Sequence, residues 1–340
     1  MVDSQQIIGE RMALDLLIRG FQVSQMLRVV ADLAVADRIP FAGDIKLIEL
    51  AASCGVQPQP LLRVLRALAA LQVFAVTSDE DVRHTPRSRL LRTDSPNSMH
   101  YGARFWAGPG SWKAWGMLDV ALKGEVPHQA AWNTDRFAYL RSHSDEARVF
   151  DEMMAHFPDN RHAAVAETYD FSGVHLIADI GGGNGAALRH IFARFPESRG
   201  IVFDREDVVR AISAGDLMEG RIKQVGGSFF ESIPPDADAY ILSRVLHDWS
   251  DEDSLRILRT CRAAMKPTSR LLIVEHIIEP DPSRGQPTDY LVDMQMMAMF
   301  GSARARTEEE FRGLLTEARL LLRNRISTKS PVSILEATPV

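Results

Sequence analysis

The segment Asp179-Ile180-Gly181-Gly182-Gly183-Asn184-Gly185-Ala186 follows a short apolar run and opens a helical pattern. Glycines at such a turn let the backbone approach a ligand closely. The segment also satisfies a loose G-x-G-x-x-A pattern, which does not separate a dinucleotide from any other adenosine cofactor.

Asp204 lies about twenty residues further on, at the end of the apolar run Ile201-Val202-Phe203. A carboxylate at that place can accept hydrogen bonds from both ribose hydroxyls. The alternative interpretation is an ordinary turn or N-cap residue. The glycine segment and Asp204 together predict an adenosine site.

Short apolar runs alternate with helical segments over the second half of the chain. This order is typical of an α/β protein with a doubly wound, mostly parallel sheet. The predicted strands are 175–180, 200–203, 221–225, 239–242 and 270–274, and a helix is predicted over 251–265.

His247 follows the fourth of these strands, in Leu246-His247-Asp248-Trp249. Ligands bind at the carboxyl ends of strands in open sheets of this class. Ser250 and Asp253 form a plausible capping box for the next helix, so His247 falls in the loop before it. Its position favours a role in proton transfer over that of a structural histidine.

The N-terminal region, residues 1–100, shows helical apolar spacing, then a helix-turn-helix pattern over 46–74 and two short strands. This order predicts a mainly helical, winged-helix-like domain. Arg63 and Arg66 would lie on the second helix and invite a DNA-binding interpretation. The region holds eleven Lys or Arg against eleven Asp or Glu, so it lacks the basic face that DNA binding needs. We therefore expect a dimerisation domain, a homodimer and no nucleic-acid partner.

Residues 101–165 are rich in aromatic residues and methionine. We interpret them as a helical linker between the N-terminal domain and a catalytic domain over 166–340. The apolar side chains can pack between domains, and some can also line a substrate pocket.

The composition of the chain excludes several other classes of protein. The chain has 340 residues, of which 46% are hydrophobic and 25% charged, as in ordinary globular proteins. No apolar run has the length of a membrane span, and the first residues lack a signal-peptide pattern. We therefore expect a cytoplasmic protein without a membrane partner. Two cysteines are too few for a disulfide scaffold or a cysteine zinc site.

With these motifs in order, the sequence resembles the small-molecule O-methyltransferase family. This family includes plant caffeic acid O-methyltransferase and bacterial tailoring enzymes for anthracyclines, mitomycin and hydroxyneurosporene. The resemblance covers nearly the whole chain. It rests on the winged N-terminal region, the glycine segment at 179–185, Gly-Gly-Ser-Phe-Phe at 226–230, Leu-His-Asp-Trp at 246–249, Leu-Ile-Val-Glu at 272–275 and Arg-Thr-Glu-Glu-Glu-Phe at 306–311.

The resemblance implies a Rossmann-like class I methyltransferase domain that uses S-adenosylmethionine. Asp204 would hold the ribose of this cofactor. Phe229 and Phe230 would lie beside the adenine, and Ser243 and Arg244 near the amino-acid end. The full set of residues expected at the cofactor is Asp179, Gly181, Gly183, Asp204, Arg205, Gly227, Ser228, Phe229, Phe230, Ser243 and Arg244.

The resemblance makes His247 the general base and Glu275 the carboxylate that orients it. Two positions depart from the family. Ser228 replaces an aspartate on the adenine side, which exchanges a charged contact for a neutral hydroxyl. Ala305 stands where relatives commonly carry a second catalytic carboxylate, so one of the two flanking acids is absent.

The acceptor is expected to be a small, aromatic molecule with a hydroxyl. Some relatives bind a metal through an extra histidine, but Met299 stands at the matching place, and we predict no metal. The residues expected at the acceptor are Phe150, Met154, Phe157, Asp248, Met296, Met299 and Phe300.

Alternative functions remain open on the sequence alone. Ala305 is consistent with a fold diverted to hydroxylation, decarboxylation or pericyclic chemistry, or to methylation of nitrogen or carbon. A regulator that senses S-adenosylmethionine would need duplex affinity that a neutral N-terminal region does not supply. A nicotinamide dehydrogenase would use the same glycine pattern.

Overall fold

A computed structural model of the protein describes residues 4–156 and 160–340, which form two compact units. The described part of the first unit comprises residues 4–117 and 128–156. That of the second comprises residues 118–127 and 160–340. The domain limits at residues 100 and 165 stay predictions.

Helices account for most of the first unit and alternate with strands in the second. The helices within the described residues are α1 (Ser4–Ile18), α2 (Gly20–Asp32), α3 (Val35–Arg38), α4 (Leu47–Cys54), α5 (Pro58–Ala70), α6 (Pro86–Arg89), α7 (His100–Trp106), α8 (Pro109–Trp115), α9 (Leu118–Ala121), α10 (Pro127–Trp132), α11 (Arg136–Ser142), α12 (Ser144–Ala155), α13 (Arg161–Thr168), α14 (Ala186–Arg194), α15 (Glu206–Arg210), α16 (Asp251–Ala264), α17 (Pro287–Phe300) and α18 (Glu308–Glu317). The segments Gly215–Gly220 and Leu246–Asp248 form 3-10 turns.

The strands form a small sheet in the first unit and a large one in the second. They are β1 (Asp44–Lys46), β2 (Phe74–Val76), β3 (Asp81–His84), β4 (Leu176–Ile180), β5 (Arg199–Asp204), β6 (Ile222–Gly226), β7 (Ala239–Ser243), β8 (Arg270–Glu275), β9 (Leu320–Ser327) and β10 (Ser333–Pro339).

In the first unit, α4 and α5 pack beside an antiparallel sheet of order β1-β3-β2. Helix α5 begins with Pro58, whose fixed φ suits a first helical position. Its Leu61, Leu65 and Leu68 recur at helical spacing and are buried with Phe74 of β2. The predicted helices and short strands are therefore present, and the description as a winged helix stays a prediction.

Helix α1 leaves many apolar side chains in contact with solvent. Leu17 is 77% exposed and Met12 69% exposed. Large exposed apolar surfaces on proteins are typical of interaction sites. The exposed apolar residues of α1 and the start of α2 are Ile7, Ile8, Met12, Leu14, Leu16, Leu17, Ile18 and Phe21.

In the second unit, strands within residues 160–340 form a sheet of order β6-β5-β4-β7-β8-β10-β9. Pairing is parallel from β6 to β8, whereas β10 pairs antiparallel with both β8 and β9. Strand order reverses between β4 and β7, and a switch point of this kind opens a ligand crevice at the carboxyl ends of the strands. The predicted mostly parallel sheet is confirmed.

Helices cover both faces of this sheet. Successive residues of a strand point to opposite sides, so an apolar strand has side chains to bury on each face. Tyr240 and Leu242 of β7 are buried in one core, with residues of α16 and α18. Ile241, between them, is buried in a second core with residues of α14. Continuous apolar strands are therefore buried on both faces, as in doubly wound proteins. Among the helices of the described residues, none combines the length and apolarity needed to cross a bilayer.

Candidate active site

The candidate base stands on a short turn at the carboxyl end of β7. After Ser243, Arg244 adopts a left-handed conformation with φ of 58°, and the 3-10 turn Leu246–Asp248 follows. Ser250 then caps α16, because its hydroxyl accepts the backbone N–H of Asp253 at 3.1 Å. The chain thus holds His247 in a strand-to-helix loop, as the sequence predicts.

Glu275 is the last residue of β8, the strand next to β7, and only 1% of its surface is exposed. Its Oε1 lies 3.1 Å from Nδ1 of His247 and accepts the backbone N–H of the same residue at 3.3 Å. Burial alone would raise the pKa of Glu275, but the charge and hydrogen bond of His247, with the charge of Arg244, lower it to about 2. The carboxylate is ionised at neutral pH and fixes the imidazole ring.

Two further charged side chains contact this pair. Nη1 of Arg244 donates to Oε2 of Glu275 at 3.3 Å, so the two carboxylate oxygens have different partners. Oδ1 of Asp248 lies 3.2 Å from Nε2 of His247, the second ring nitrogen. Sequence reasoning missed both contacts because it assigned Arg244 to the cofactor and Asp248 to the acceptor.

Arg306 is fully buried and holds the turn that carries His247. Its guanidinium donates to the carbonyl oxygens of Leu246 and Trp249 at 2.8 Å each, and to Asp251 Oδ1 at 2.8 Å. It also donates to Oγ of Ser254 at 3.1 Å. The Arg-Thr motif was the signal for this role, but sequence reasoning used it only to recognise the family.

The residues on either side of Arg306 complete this support. The backbone N–H of Arg304 donates to the carbonyl oxygen of His247 at 2.9 Å. Ala305, where the family resemblance predicts an acid, donates its own N–H to Asp293 Oδ1 at 2.7 Å. Segment 304–306 therefore supports the turn that carries His247 through its backbone and through Arg306.

The glycine segment lies next to this turn. Gly181 has a φ of +72°, and a Cβ there would come within 2.8 Å of Val245, two residues before His247. Gly183 has a φ of +56° and donates its N–H to Asp204 Oδ2 at 2.9 Å. Oδ1 of Asp204 accepts the N–H of Arg205 at 2.7 Å. The loop thus positions Asp204 beside Gly183, where an added Cβ would meet no atom within 4 Å.

Asp179 lies beneath the loop and is 1% exposed. Neither of its carboxylate oxygens has a hydrogen-bond partner within the described part of the chain. Burial, and then the charge of Asp204, raise the pKa of Asp179 to about 7. An acid without donors at this depth is unusual and indicates a missing partner.

Phe229 and Phe230 lie after β6 and pack against Trp249, with ring centroids 5.7 and 4.8 Å from the tryptophan. The hydroxyl of Ser228 accepts the backbone N–H of Phe230 at 3.3 Å. A Cβ on Gly227 would come within 2.8 Å of the Phe203 ring. The aromatic pair predicted for the adenine therefore adjoins the turn that carries His247.

The residues predicted for the acceptor lie on different helices. Phe150 and Met154 are on α12 in the first unit, and Met154 is 46% exposed. Met296, Met299 and Phe300 are on α17 in the second unit. Phe157 lies outside the described residues. In residues 4–156 and 160–340, no cluster of three His, Cys, Asp or Glu side chains could hold a metal ion.

Comparison with known proteins identifies the family. The model of the O-methyltransferase domain matches residues 115–320, and that of the O-methyltransferase dimerisation domain matches residues 16–94. The phenazine O-methyltransferase PhzM of Lysobacter antibioticus is 37% identical over 95% of this chain and 95% of its own. The aclacinomycin 10-hydroxylase RdmB of Streptomyces purpurascens is 32% identical over 96% of this chain and 91% of its own.

A solved structure agrees with these matches. CalO1, a methyltransferase in calicheamicin biosynthesis solved in its SAH-bound form, superposes with a TM-score of 0.86. It is 29% identical, and the similarity covers 100% of both chains. The resemblance indicated by the motifs is confirmed: this chain belongs to the O-methyltransferase family and is a methyltransferase by its domain.

Proposed function

We propose that this protein transfers a methyl group from S-adenosylmethionine to a hydroxyl of a small, aromatic secondary metabolite, with His247 as general base. The observation that carries this proposal is the 3.1 Å contact between Nδ1 of His247 and the buried carboxylate of Glu275. A base oriented by an acid at the rim of the sheet suits proton removal from a bound hydroxyl.

The residues around the glycine segment fit the cofactor. Asp179 has two buried oxygens without donors, and the glycines leave backbone open beside Asp204. When bound, S-adenosylmethionine supplies an electrophilic methyl group. Our proposed contacts are Asp179, Gly181, Gly183, Asp204, Arg205, Gly227, Ser228, Phe229, Phe230, Ser243 and Arg244.

The chain must then remove the proton of the acceptor hydroxyl. A free phenol and a free imidazole differ by about 3.5 pKa units, which opposes the transfer by roughly 5 kcal/mol in water. Glu275 offsets part of this because its ionised carboxylate stabilises the imidazolium that forms. Arg244 holds Glu275 in place, and Arg306 holds the turn that carries His247. Because Glu275 binds Nδ1, Nε2 of His247 is the atom that takes the proton.

We propose that apolar side chains bind an aromatic acceptor. Methionine side chains adapt to irregular ligands, and α17 carries several of them in succession. The proposed contacts are Phe150, Met154, Phe157, Asp248, Met296, Met299 and Phe300.

We also propose that the protein is a homodimer through its N-terminal domain. The match to a dimerisation domain and the exposed apolar residues of α1 support this assembly. A second copy of the chain would remove these side chains from water, which is favourable in proportion to the apolar area buried.

A second candidate is a methyltransferase fold diverted to another reaction, such as hydroxylation. Ala305 at the place of an acid and the similarity to the hydroxylase RdmB favour it. The retained pair of His247 and Glu275 favours methyl transfer.

The test is incubation of the protein with S-adenosylmethionine labelled in its methyl group and a library of aromatic acceptors that offer phenolic hydroxyl, amine or carbon nucleophiles. We expect a labelled, methylated product in the wild type and none in His247→Ala. Calorimetry should show that both proteins bind S-adenosylhomocysteine and that neither binds NADH. Tight S-adenosylhomocysteine binding with no methylated product across hydroxyl, amine and carbon acceptors would favour the diverted fold.

A further inference from the structure

The imidazole of His247 has a carboxylate at each of its two nitrogens. Oε1 of Glu275 lies 3.1 Å from Nδ1, and Oδ1 of Asp248 lies 3.2 Å from Nε2. The two acids differ in exposure, since the side chain of Glu275 is 1% exposed and that of Asp248 is 51% exposed. Glu275 is fixed in the protein, whereas Asp248 stands where solvent reaches it.

An ionised carboxylate only accepts hydrogen bonds, and a neutral imidazole has a single N–H to donate. Burial raises the pKa of Asp248, whereas the charge of His247 acts to lower it. A ring between two ionised carboxylates satisfies both contacts only when both nitrogens are protonated. In that form it has no lone pair with which to remove a proton from an acceptor.

The other charged groups near the ring do not contact either of its nitrogens. Arg244 contacts Glu275 through Oε2 and leaves Oε1 to His247. Arg306 is directed at Leu246, Trp249 and Asp251, and Asp293 of α17 accepts the backbone N–H of Ala305. Asp248 is therefore the group whose charge acts directly on Nε2.

We propose that Asp248 is a positioning residue that keeps His247 doubly protonated until an acceptor hydroxyl displaces it from Nε2. This inference rests on the proposed role of His247 as base. As Asp248 leaves, the Nε2 proton passes to solvent, and the freed nitrogen then takes the proton of the acceptor hydroxyl. Asp248 thereby supplies the second acid at the ring that Ala305 does not, and it sets the lower pH limit of activity.

The test is a titration of the His247 ring by NMR in protein labelled with 13C-histidine, with the signal assigned from its loss in His247→Gln. In Asp248→Asn, the amide nitrogen can donate to Nε2 and the negative charge is gone. We expect the titration midpoint of the ring to fall by about one pH unit. Glu252→Gln is the matched control, because it removes an exposed acid of the first turn of α16 and should leave the midpoint unchanged.

Turnover gives a second and independent readout. The acid limb of kcat/KM should move to lower pH in Asp248→Asn by the same amount as the ring titration. Asp248→Ala should shift both in the same direction, which keeps the test valid if the asparagine variant folds poorly. A midpoint that is unchanged or raised in both variants would overturn the inference. A lowered midpoint in a protein without methyl transfer would instead overturn the proposed function, and the effect of Asp248 on the protonation of the ring would be all that stands.

Discussion

Nη1 of Arg306 donates to the carbonyl oxygen of Leu246 at 2.8 Å, although the two residues lie 60 positions apart in the chain. Leu246 directly precedes His247. Trp249, whose carbonyl oxygen is also bound by Arg306, directly follows the turn Leu246–Asp248. One buried guanidinium thus binds the chain on both sides of His247. Backbone carbonyls buried without a donor are costly, which makes this side chain important for both stability and geometry.

Replacing Arg306 with methionine should lower the free energy of unfolding by about 3 kcal/mol or more, because several buried acceptors lose their donor together. Urea denaturation measures this loss. Arg312→Met is the control, since Arg312 makes half-exposed ion pairs on α18 worth about 1 kcal/mol or less. Equal losses in the two variants would contradict the assigned role. Ser254→Ala removes one of the contacts and gives a milder variant for kinetic measurements.

Replacing His247 with alanine should lower turnover by about 100-fold or more while S-adenosylhomocysteine affinity stays within a few-fold of the wild type. Steady-state kinetics and calorimetry measure the two quantities. His190→Ala, at an exposed position of α14, is the control for loss of a histidine. Full activity in His247→Ala would remove the base assignment.

Glu275→Gln should change how stability depends on pH. The pKa of Glu275 is lowered to about 2 in the folded protein, so its ionised form stabilises the fold above the unfolded pKa near 4.5. That contribution is on the order of 3 kcal/mol at neutral pH and is lost as pH falls from about 4.5 towards 2. Urea unfolding between pH 5 and 3 should show a steeper loss in the wild type than in Glu275→Gln. Parallel curves would mean that Glu275 is not ionised against its partners.

For Asp179, we expect stability to depend on pH in the opposite direction. Its pKa is raised to about 7, so the folded protein holds a proton that the unfolded chain releases at lower pH. Stability should therefore fall as pH rises from about 4 to 7, by as much as roughly 4 kcal/mol for this group. Asp179→Asn has no proton to lose, so its stability relative to the wild type should improve over the same range. A difference that does not vary with pH would argue that Asp179 is ionised throughout.

Replacing Leu17, which is 77% exposed on α1, with glutamate should favour the monomer if α1 belongs to a dimer interface. Burying a charge in an apolar interface without a partner is strongly unfavourable. Analytical ultracentrifugation across a range of protein concentrations measures the change in dissociation constant. Glu10→Gln, also on α1, is the control. Identical sedimentation of all three proteins would place the interface elsewhere.

Much of the fold can be predicted from the sequence, because parallel strands that are buried on both faces occur as continuous apolar runs. β4, β5, β7 and β8 occur within a residue or two of their predicted limits. β9 and β10 were not predicted. The run Leu320–Ser327 begins with three leucines and continues with Arg-Asn-Arg, so it shows neither a continuous apolar run nor a clear alternation, and only Leu320 and Leu322 of this edge strand are buried.

The candidate site was predicted less completely. The glycine segment, Asp204 and His247 carry local signals, because each lies at or just after the end of a strand, at the edge where ligands bind. Glu275 was predicted only through the resemblance to the family. The contacts of Arg306, Arg244 and Asp248 depend on how distant segments and a left-handed residue turn their side chains. Neither apolar periodicity nor motif spacing encodes those directions.

The contact between positions 181 and 245 has an evolutionary consequence. Because a methyl group on residue 181 would collide with Val245, an alanine there requires a smaller residue at 245 and tolerance of a positive φ. Among homologous chains, substitutions at these two positions should therefore arise as correlated pairs, and a lineage that changes one alone should carry a compensating shift in the loop.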